Sequence, residues 1–133
     1  MTAAYSDAIV LITGASTGLG RAIALGAARQ GARAVIINYA TSTAEAEETA
    51  RLVREAGAEA VLAQGDVGQD EDCRRIAAAA APFGRIDALF NNAGTTRLAP
   101  YGNLDGLSDD DFLAIYRTNV IGAQNIIDAA RRD

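Results

Sequence analysis

The chain has 133 residues, of which 17 are acidic and 12 are basic, and its formal net charge is −5. This length fits one domain or part of one, and the acidic balance argues against a surface for nucleic acid or anionic membranes. Every basic residue is arginine and histidine is absent, which excludes histidine-based triads, HExxH zinc sites and lysine-based catalysis. The one cysteine, Cys73, can form neither an internal disulfide nor a zinc site. We therefore expect a cytoplasmic domain without a metal site and without nucleic-acid or membrane partners.

The first half of the chain alternates apolar runs with helical patterns. The continuous apolar run 8–13 predicts a strand buried on both faces, as in parallel sheets covered by helices on each side. A glycine-rich segment and a helix to about Gln30 follow, and Gly31 lies where a C-terminal glycine cap is expected. Residues 34–39 predict a second strand, and 43–56 predict a second helix.

The second half continues the same alternation. Residues 59–64 predict a third strand, 69–81 a third helix ended by a proline, and 86–90 a fourth strand. After a loop, Ser108 opens a last helix whose first turn is acidic. The succession predicts an α/β fold with a doubly wound parallel sheet. The last helix is predicted to place on one face Phe112, Ile115, Tyr116, Asn119, Ala123, Ile126, Ile127 and Ala130.

The strongest local motif is the segment from Thr13 to Gly20, TGASTGLG, between the first predicted strand and the first predicted helix. Gly14 permits a tight turn, Gly18 lets the backbone approach a pyrophosphate, and Gly20 lets the helix pack closely on the strand. The helix N-terminus would present free N–H groups to the anion. The spacing is G-x-x-x-G-x-G rather than G-x-G-x-x-G, and three turn or packing glycines in an α/β protein are the alternative interpretation.

A second motif, Asn91-Asn92-Ala93-Gly94, directly follows the fourth predicted strand. In an open α/β sheet, ligands bind beyond the carboxyl ends of the strands, near the point where the strand order reverses. Small residues there let a nucleotide ribose lie against the backbone. An ordinary Asn/Gly turn is the alternative interpretation.

Three further residues are candidates for binding or catalysis. Asp66, at the end of the third strand, could accept a hydrogen bond from an adenine amino group while Val67 packs beside the ring. The alternative for Asp66 is a helix N-cap. Asn119 is an amide on the apolar face of the last helix, where asparagine is unfavourable and a buried amide needs partners. Its alternative is a purely structural hydrogen bond.

The order and spacing of these four motifs closely resemble the N-terminal half of the short-chain dehydrogenase/reductase family. The resemblance implies a Rossmann-like fold, a TGxxxGxG turn that holds the cofactor pyrophosphate, and an Asp-Val pair that brackets adenine. It also implies that Asn119 supports a proton relay to a catalytic lysine, which makes it the candidate catalytic residue. The candidate cofactor-binding residues are Thr13, Gly14, Ser16, Thr17, Gly18, Leu19, Gly20, Asn38, Asp66, Val67, Asn92, Ala93 and Gly94.

The end of the second strand bears on the choice of cofactor. Family members that prefer NAD usually carry an acid there to receive the ribose hydroxyls, whereas this chain has Asn38. An amide can donate to a 2′-phosphate, with Thr41 and Ser42 as additional donors. These residues favour NADP over NAD. Thr17 counts against NADP, because it occupies the position at which NADP-preferring members often carry a basic residue.

The resemblance implies an oxidoreductase that transfers hydride between a nicotinamide and a carbonyl or alcohol substrate. The family's catalytic serine and Tyr-x-x-x-Lys motif are absent from this chain. We therefore expect residues 1–133 to be the N-terminal part of a single nucleotide-binding domain, inactive without its catalytic C-terminal part. A non-catalytic nucleotide-binding module is an alternative. A methyltransferase that binds S-adenosylmethionine is a weaker one, because Asn91–Gly94 and Asn119 have no role there.

The same resemblance predicts surfaces that need a partner. The family's strand order places the fourth strand in the centre of the sheet, so that it would be an exposed edge here, and such edges associate. The apolar face of the last helix would also be uncovered. We expect the chain to be marginally stable alone, or to form a homo-oligomer through its last helix, or to pair with a separate C-terminal half.

Overall fold

The computed structural model describes residues 3–95, 97–103 and 105–131. Its four strands are β1 (Ile9–Ile12), β2 (Ala34–Tyr39), β3 (Glu59–Gln64) and β4 (Ala88–Phe90). Its five α-helices are α1 (Gly18–Arg29), α2 (Thr43–Glu55), α3 (Asp70–Ala78), α4 (Asp109–Tyr116) and α5 (Ala123–Arg131). The strands form one parallel sheet in the order β3-β2-β1-β4.

Helices cover both faces of the sheet, as predicted. Successive side chains of a strand point to opposite faces, so Val10 and Ile12 pack with apolar residues of α1 and α2. Ile9 and Leu11 pack on the other face, with residues of α3 and α5. All four side chains are fully buried, which explains why this strand is continuously apolar. The doubly wound α/β fold is confirmed.

Two element boundaries differ from the predictions by two residues or more, and several others differ by one. The helix expected over 69–81 ends as an α-helix at Ala78, and Pro82 lies in a 3₁₀ turn formed by Ala81–Phe83. A proline ring conflicts with the carbonyl four residues earlier, which here belongs to Ala78, and proline lacks the N–H that would continue the helix. The fourth strand pairs only over Ala88–Phe90, two residues shorter than expected at its start.

The last helix is interrupted between α4 and α5. The segment Arg117–Gly122 is π-helical, with hydrogen bonds that span one residue more than in an α-helix. The residues predicted on one apolar face are divided: Tyr116, Asn119, Ala123 and Ile127 line one groove, whereas Ile126 turns into the core. Ile126 is fully buried against the sheet, whereas Phe112 and Ile127 are 60% and 43% exposed.

The predicted start of this helical segment is confirmed. The Ser108 hydroxyl accepts a hydrogen bond from the Asp111 N–H at 3.2 Å, and the Asp111 carboxylate accepts one from the Ser108 N–H at 2.9 Å. This capping box places the acidic first turn at the positive end of the helix. Among the described residues, no helix combines the length and apolar character required to cross a membrane.

The fourth strand lies at one edge of the sheet and pairs with β1 alone among the described strands. Its three residues are half-buried rather than buried. The expected exposed edge is therefore present, next to the most deeply buried strand of the fold.

Candidate functional site

A cleft of about 670 Å³ opens at the carboxyl ends of the strands. Five parts of the chain line it: the glycine-rich turn after β1, the segments that follow β2, β3 and β4, and the last helical segment at Ala114 and Thr118. In a parallel sheet the carboxyl ends of all strands lie at the same end of the sheet, and open α/β sheets bind their ligands there. The predicted site residues that line the cleft are Gly14, Ser16, Thr17, Gly18, Leu19, Asn38, Asp66, Val67, Asn92, Ala93 and Gly94. Thr13, Gly20 and Asn119 lie outside its lining.

The glycine-rich turn presents a run of free backbone amides. The N–H groups of residues 16–20 donate to no acceptor within the described part of the chain. The first amides of a helix have no preceding carbonyl to bind, and they form its positive end. Thr17, the N-cap of α1, makes no side-chain cap bond, and the first turn of α1 contains no acidic residue. The turn is therefore suited to bind an anion from outside the chain.

Two glycines keep this turn open to a ligand and close to the sheet. Gly18 has a φ of +57°, and a Cβ built on it would meet nothing within 4 Å, so the space beside it is free. Gly20 has the opposite environment. A Cβ there would collide with the Gly14 carbonyl oxygen and lie 2.7 Å from the Asn92 amide nitrogen. Gly20 therefore permits close packing of α1, while Gly18 leaves room above the amides.

Thr13 and Asn92 join the turn to the segment after β4. The buried Thr13 hydroxyl accepts hydrogen bonds from the N–H groups of Asn92 at 3.0 Å and Ala93 at 2.9 Å. The Asn92 side chain donates to the Gly14 carbonyl at 2.9 Å. These bonds join the glycine-rich turn to the segment after β4. Thr13 therefore stabilises the cleft without lining it.

The structure corrects the expected role of Asn38. This side chain is only 2% exposed, and its Nδ2 donates to the carbonyls of Ala63 at 3.0 Å and Gly65 at 3.2 Å. Its Oδ1 accepts from the Gly14 N–H at 3.2 Å. Because both amide hydrogens are already donated to the backbone, the predicted donation to a 2′-phosphate is wrong. Asn38 instead fixes the glycine-rich turn to the ends of β2 and β3.

Asp66 follows β3 and lies at the far side of the cleft. One carboxylate oxygen accepts a hydrogen bond from the Gly68 N–H at 2.8 Å, and the exposed side chain leaves the other without a partner among the described residues. The N-cap of α3 is Gln69, so the alternative of Asp66 as a helix N-cap is wrong. The Asp66 N–H donates to the Asp72 carboxylate at 2.8 Å. This hydrogen bond, together with the Arg75 guanidinium, lowers the pKa of Asp72.

Asn119 lies in the π-helical segment and is exposed, not buried on an apolar face as expected. Its Oδ1 accepts from the Thr95 N–H at 2.8 Å, and its Nδ2 donates to the Thr95 carbonyl at 2.9 Å. The Asn119 side chain thus binds both the backbone N–H and the carbonyl of Thr95. The segment after β4 is thereby fixed to the last helical segment.

Sequence reasoning missed two polar residues behind the glycine-rich turn. Arg21 follows the last glycine of the motif, and its guanidinium donates to the Ser16 carbonyl at 2.8 Å. Thr49 is fully buried on α2 and lies 3.1 Å from the same carbonyl oxygen. A threonine within a run of helix-forming residues is unfavourable, and this was the available signal for Thr49.

The parallel sheet, the glycine-rich turn and the cleft beyond the strand ends define a Rossmann-like nucleotide-binding unit. The family model for short chain dehydrogenase matches residues 8–133. The chain belongs to the short-chain dehydrogenase/reductase family, and the predicted family is confirmed.

Among curated relatives, the chain is 36% identical over 125 residues to an uncharacterised oxidoreductase of Methylorubrum extorquens. That match covers 93% of this chain and 49% of the relative. Three other curated relatives are covered over 44–46% of their lengths, so the chain spans about half the length of these relatives. The short-chain dehydrogenase/reductase homolog YusS of Bacillus subtilis differs in this respect. It is 39% identical over 103 residues, which cover 77% of this chain and 94% of YusS.

Two similar crystal structures contain a nicotinamide cofactor. A protein described as a dehydrogenase of Burkholderia cenocepacia, with bound NADP, is 34% identical with a TM-score of 0.86. That match covers 99% of this chain and 50% of the other. An NAD⁺-bound xylitol dehydrogenase is 32% identical with a TM-score of 0.85, over 97% of this chain and 48% of its own.

Proposed function

We propose that the cleft binds a nicotinamide dinucleotide, with NADP preferred over NAD, and that the chain supplies the cofactor-binding part of an oxidoreductase. The run of free amides at residues 16–20 is the observation that carries this proposal, because residues 16–19 of that run line a cleft at the carboxyl ends of the strands. When bound, the nicotinamide would give or take the hydride that converts a carbonyl into an alcohol or the reverse.

We propose one orientation for the dinucleotide from the residues that line the cleft. The amides from Ser16 to Gly20 would bind the pyrophosphate, and the space beside Gly18 leaves room for it. The free carboxylate oxygen of Asp66 would accept from the adenine amino group, with Val67 beside the ring. In this orientation the adenosine would lie toward β2 and β3. The other end would extend along Ala93 and Gly94, which Asn119 holds in place through Thr95.

The preference for NADP rests on the ribose end of the cleft, near Thr41 and Ser42. Both residues are exposed and line the cleft, and the Ser42 hydroxyl makes no cap bond to α2. No carboxylate lies among the lining residues after β2. Hydroxyl donors in a lining without a carboxylate suit a 2′-phosphate better than a 2′-hydroxyl. The cofactor-bound relatives are of both kinds, so they support either dinucleotide.

We propose that the hydride-transfer reaction, with its small carbonyl or alcohol substrate, belongs to a protein of which this chain is the N-terminal part. The relatives that this chain covers over about half their length support this interpretation. The chain has no lysine, so it lacks the Tyr-x-x-x-Lys motif that its family resemblance requires for catalysis. Alone, it should bind the cofactor without turning over a ketone.

One observation favours a second candidate, a nucleotide-binding module that catalyses nothing itself. The YusS homolog is covered over 94% of its length, so a family relative of similar extent exists. A catalytic assay with NADPH and a generic ketone distinguishes the two only when a C-terminal partner is supplied. Turnover that appears when such a partner is added favours the enzyme. No turnover in the presence of the partner favours the non-catalytic module.

We further propose that the exposed apolar residues of the last helical segment form a homo-oligomer contact or receive a separate C-terminal half. Val120, Ile121 and Ile127 are 42–49% exposed, and Tyr116 beside them is 55% exposed. These side chains line one groove with Ala123. Apolar groups in such a groove gain stability when another surface removes them from water.

A matched pair of substitutions tests cofactor binding at the glycine-rich turn. Leu19→Pro removes one free amide, and proline is tolerated in the first turn of a helix because its missing N–H has no helical acceptor. Leu19→Ala keeps the amide and removes the same exposed side chain. We expect Leu19→Pro to weaken NADPH binding by about tenfold or more, since a hydrogen bond to a charged group contributes about 1.5–3 kcal/mol.

Leu19→Ala should bind NADPH with nearly the affinity of the unmodified chain. Isothermal titration calorimetry measures each affinity, and thermal unfolding verifies that both variants are folded. Equal affinities of the two variants would show that the Leu19 amide does not contact the dinucleotide. Failure of the folded, unmodified chain to bind NADPH or NADH would overturn the proposed function itself.

A further inference from the structure

Arg21 joins the glycine-rich turn to the second helix. Its Nη2 donates to the carbonyl of Ser16 at 2.8 Å and to the carbonyl of Glu45 at 2.9 Å. Its Nε donates to the Thr49 hydroxyl at 2.9 Å. Thr49 in turn lies within hydrogen-bond distance of both carbonyls, at 3.1 and 3.2 Å. One guanidinium thus connects three residues, Ser16 of the glycine-rich turn and Glu45 and Thr49 of α2.

This network fixes the two walls of the ribose end of the cleft. Because the trans peptide is planar, holding the Ser16 carbonyl toward α2 turns the Thr17 N–H to the opposite side. Glu45 belongs to the first turn of α2, which begins directly after Ser42. Arg21 itself does not line the cleft. It therefore holds the glycine-rich turn and the start of α2 in place from outside the cleft.

The charge of Arg21 has no carboxylate partner in the described part of the chain. Its three acceptors are two carbonyl oxygens and one hydroxyl oxygen. The nearby Glu48 carboxylate is instead bound by Arg51 at 2.6 and 2.9 Å. Arg21 is half-buried, and a partly buried charge is screened less by salt than an exposed one. The guanidinium charge of Arg21 therefore lies close to Ser16 and to the start of α2, with the Glu48 carboxylate also within electrostatic range.

Among the described residues, the lining of the cleft contains no cation, and Asp66 is the only charged residue in it. The chain has Thr17 where a basic residue would be expected for NADP, and the Asn38 amide is fully bound to the backbone. Nevertheless, a 2′-phosphate placed between Thr17 and Ser42 would need a counter-charge.

We infer that Arg21 is a specificity-determining residue that favours a nucleotide with a 2′-phosphate on its adenosine ribose, through a charge held behind the cleft by Ser16, Glu45 and Thr49. The inference rests on the proposed function and adds the group that selects between the two dinucleotides. NADPH carries this phosphate and NADH does not. The charge of Arg21 should therefore change their relative affinity, whereas the hydrogen bonds of the network should affect both nucleotides alike.

The test compares Arg21→Gln with Arg29→Gln. Both substitutions remove one positive charge from α1, and the exposed Arg29 lies eight residues further along the helix, about 12 Å away along its axis. Calorimetric affinities for NADPH and NADH are measured for each variant at low and high salt. We expect Arg21→Gln to weaken NADPH about tenfold and NADH about twofold, the order expected for a charge several ångströms away. Arg29→Gln should leave the ratio of the two affinities unchanged.

Arg21→Lys and Thr49→Val provide the check against a purely structural role. Both keep the positive charge and weaken the hydrogen-bond network, so they should weaken both nucleotides alike and preserve the preference for NADPH. If Arg21→Gln does not fold, the affinities of Arg21→Lys and Thr49→Val for NADPH and NADH still test the inference. A lost preference in these charge-retaining variants, or an unchanged preference in folded Arg21→Gln, would overturn the inference. A chain that prefers NADH would overturn it too, while binding of neither nucleotide would overturn the proposed function instead.

Discussion

Substitution of Gly20 by alanine tests whether the glycine-rich turn packs as closely as the structure shows. A Cβ at this position would collide with the Gly14 carbonyl oxygen and lie 2.9 Å from the Ala15 Cα. These contacts are with backbone atoms, which cannot move aside as a flexible side chain can. Overpacking of this kind costs about 1–3 kcal/mol.

Gly26→Ala is the matched control on the same helix. A Cβ there would meet nothing within 4 Å, so only the helix propensity changes. Alanine is favoured over glycine inside a helix by about 0.5–1 kcal/mol, and Gly26→Ala should stabilise the chain by that amount. The difference between the two variants removes most of the propensity effect and leaves the steric cost of the Gly20 contact.

Urea unfolding followed by far-ultraviolet circular dichroism measures both variants against the unmodified chain. We expect Gly20→Ala to be less stable by about 1–2 kcal/mol, and Gly26→Ala to be more stable, in line with these packing and propensity magnitudes. In a domain of this size, 1 kcal/mol corresponds to about 4 °C in Tm. Equal stabilities of the two variants would refute the close approach of α1 to the strand.

Two further predictions concern Asp87 and the apolar groove. The Ile9 N–H donates to the Asp87 carboxylate at 2.7 Å, and this bond, together with Arg85, lowers the pKa of Asp87. The charged carboxylate therefore stabilises the fold above about pH 4. This contribution to stability is lost as the pH falls through the pKa of Asp87 in the folded chain. The stability difference between the unmodified chain and Asp87→Asn, measured by urea unfolding, should shrink from pH 7 to pH 3, and a difference independent of pH would contradict this. Ile127→Asp should reduce self-association in sedimentation velocity relative to the exposed control Leu98→Asp, and unchanged association would exclude the groove as the contact.

The fold could be predicted from the sequence where the local pattern coincides with burial. The strands over 34–39 and 59–64 are confirmed at both ends, since the apolar runs match the paired residues. The periodicity of the sequence shows no sign of the π-helical interruption at Arg117–Gly122. A Cβ on Gly122 would lie 2.8 Å from the Val67 carbonyl oxygen, so this helix approaches the loop after β3 at a glycine that the periodicity does not distinguish.

The site was predictable as a set of segments but not as a set of contacts. The motifs after β1, β3 and β4 meet because parallel strands end at one edge of the sheet. The engagement of Asn38 depends on the carbonyls of Ala63 and Gly65, which are distant in sequence. The same holds for Arg21 and Thr49, whose meeting requires α1 and α2 to lie side by side.

The central claim is that the free amides of the glycine-rich turn bind the phosphates of a dinucleotide. A two-dimensional ¹H–¹⁵N spectrum recorded during a titration with NADPH tests this most directly. We predict saturable shifts of the amide signals of residues 16–20, with the Asp87 signal unchanged because it lies at the opposite end of β4. Adenosine, which has no phosphate, should leave the turn amides unshifted. Saturable NADPH binding that leaves these amides unshifted, or no binding by the folded chain, would contradict the account.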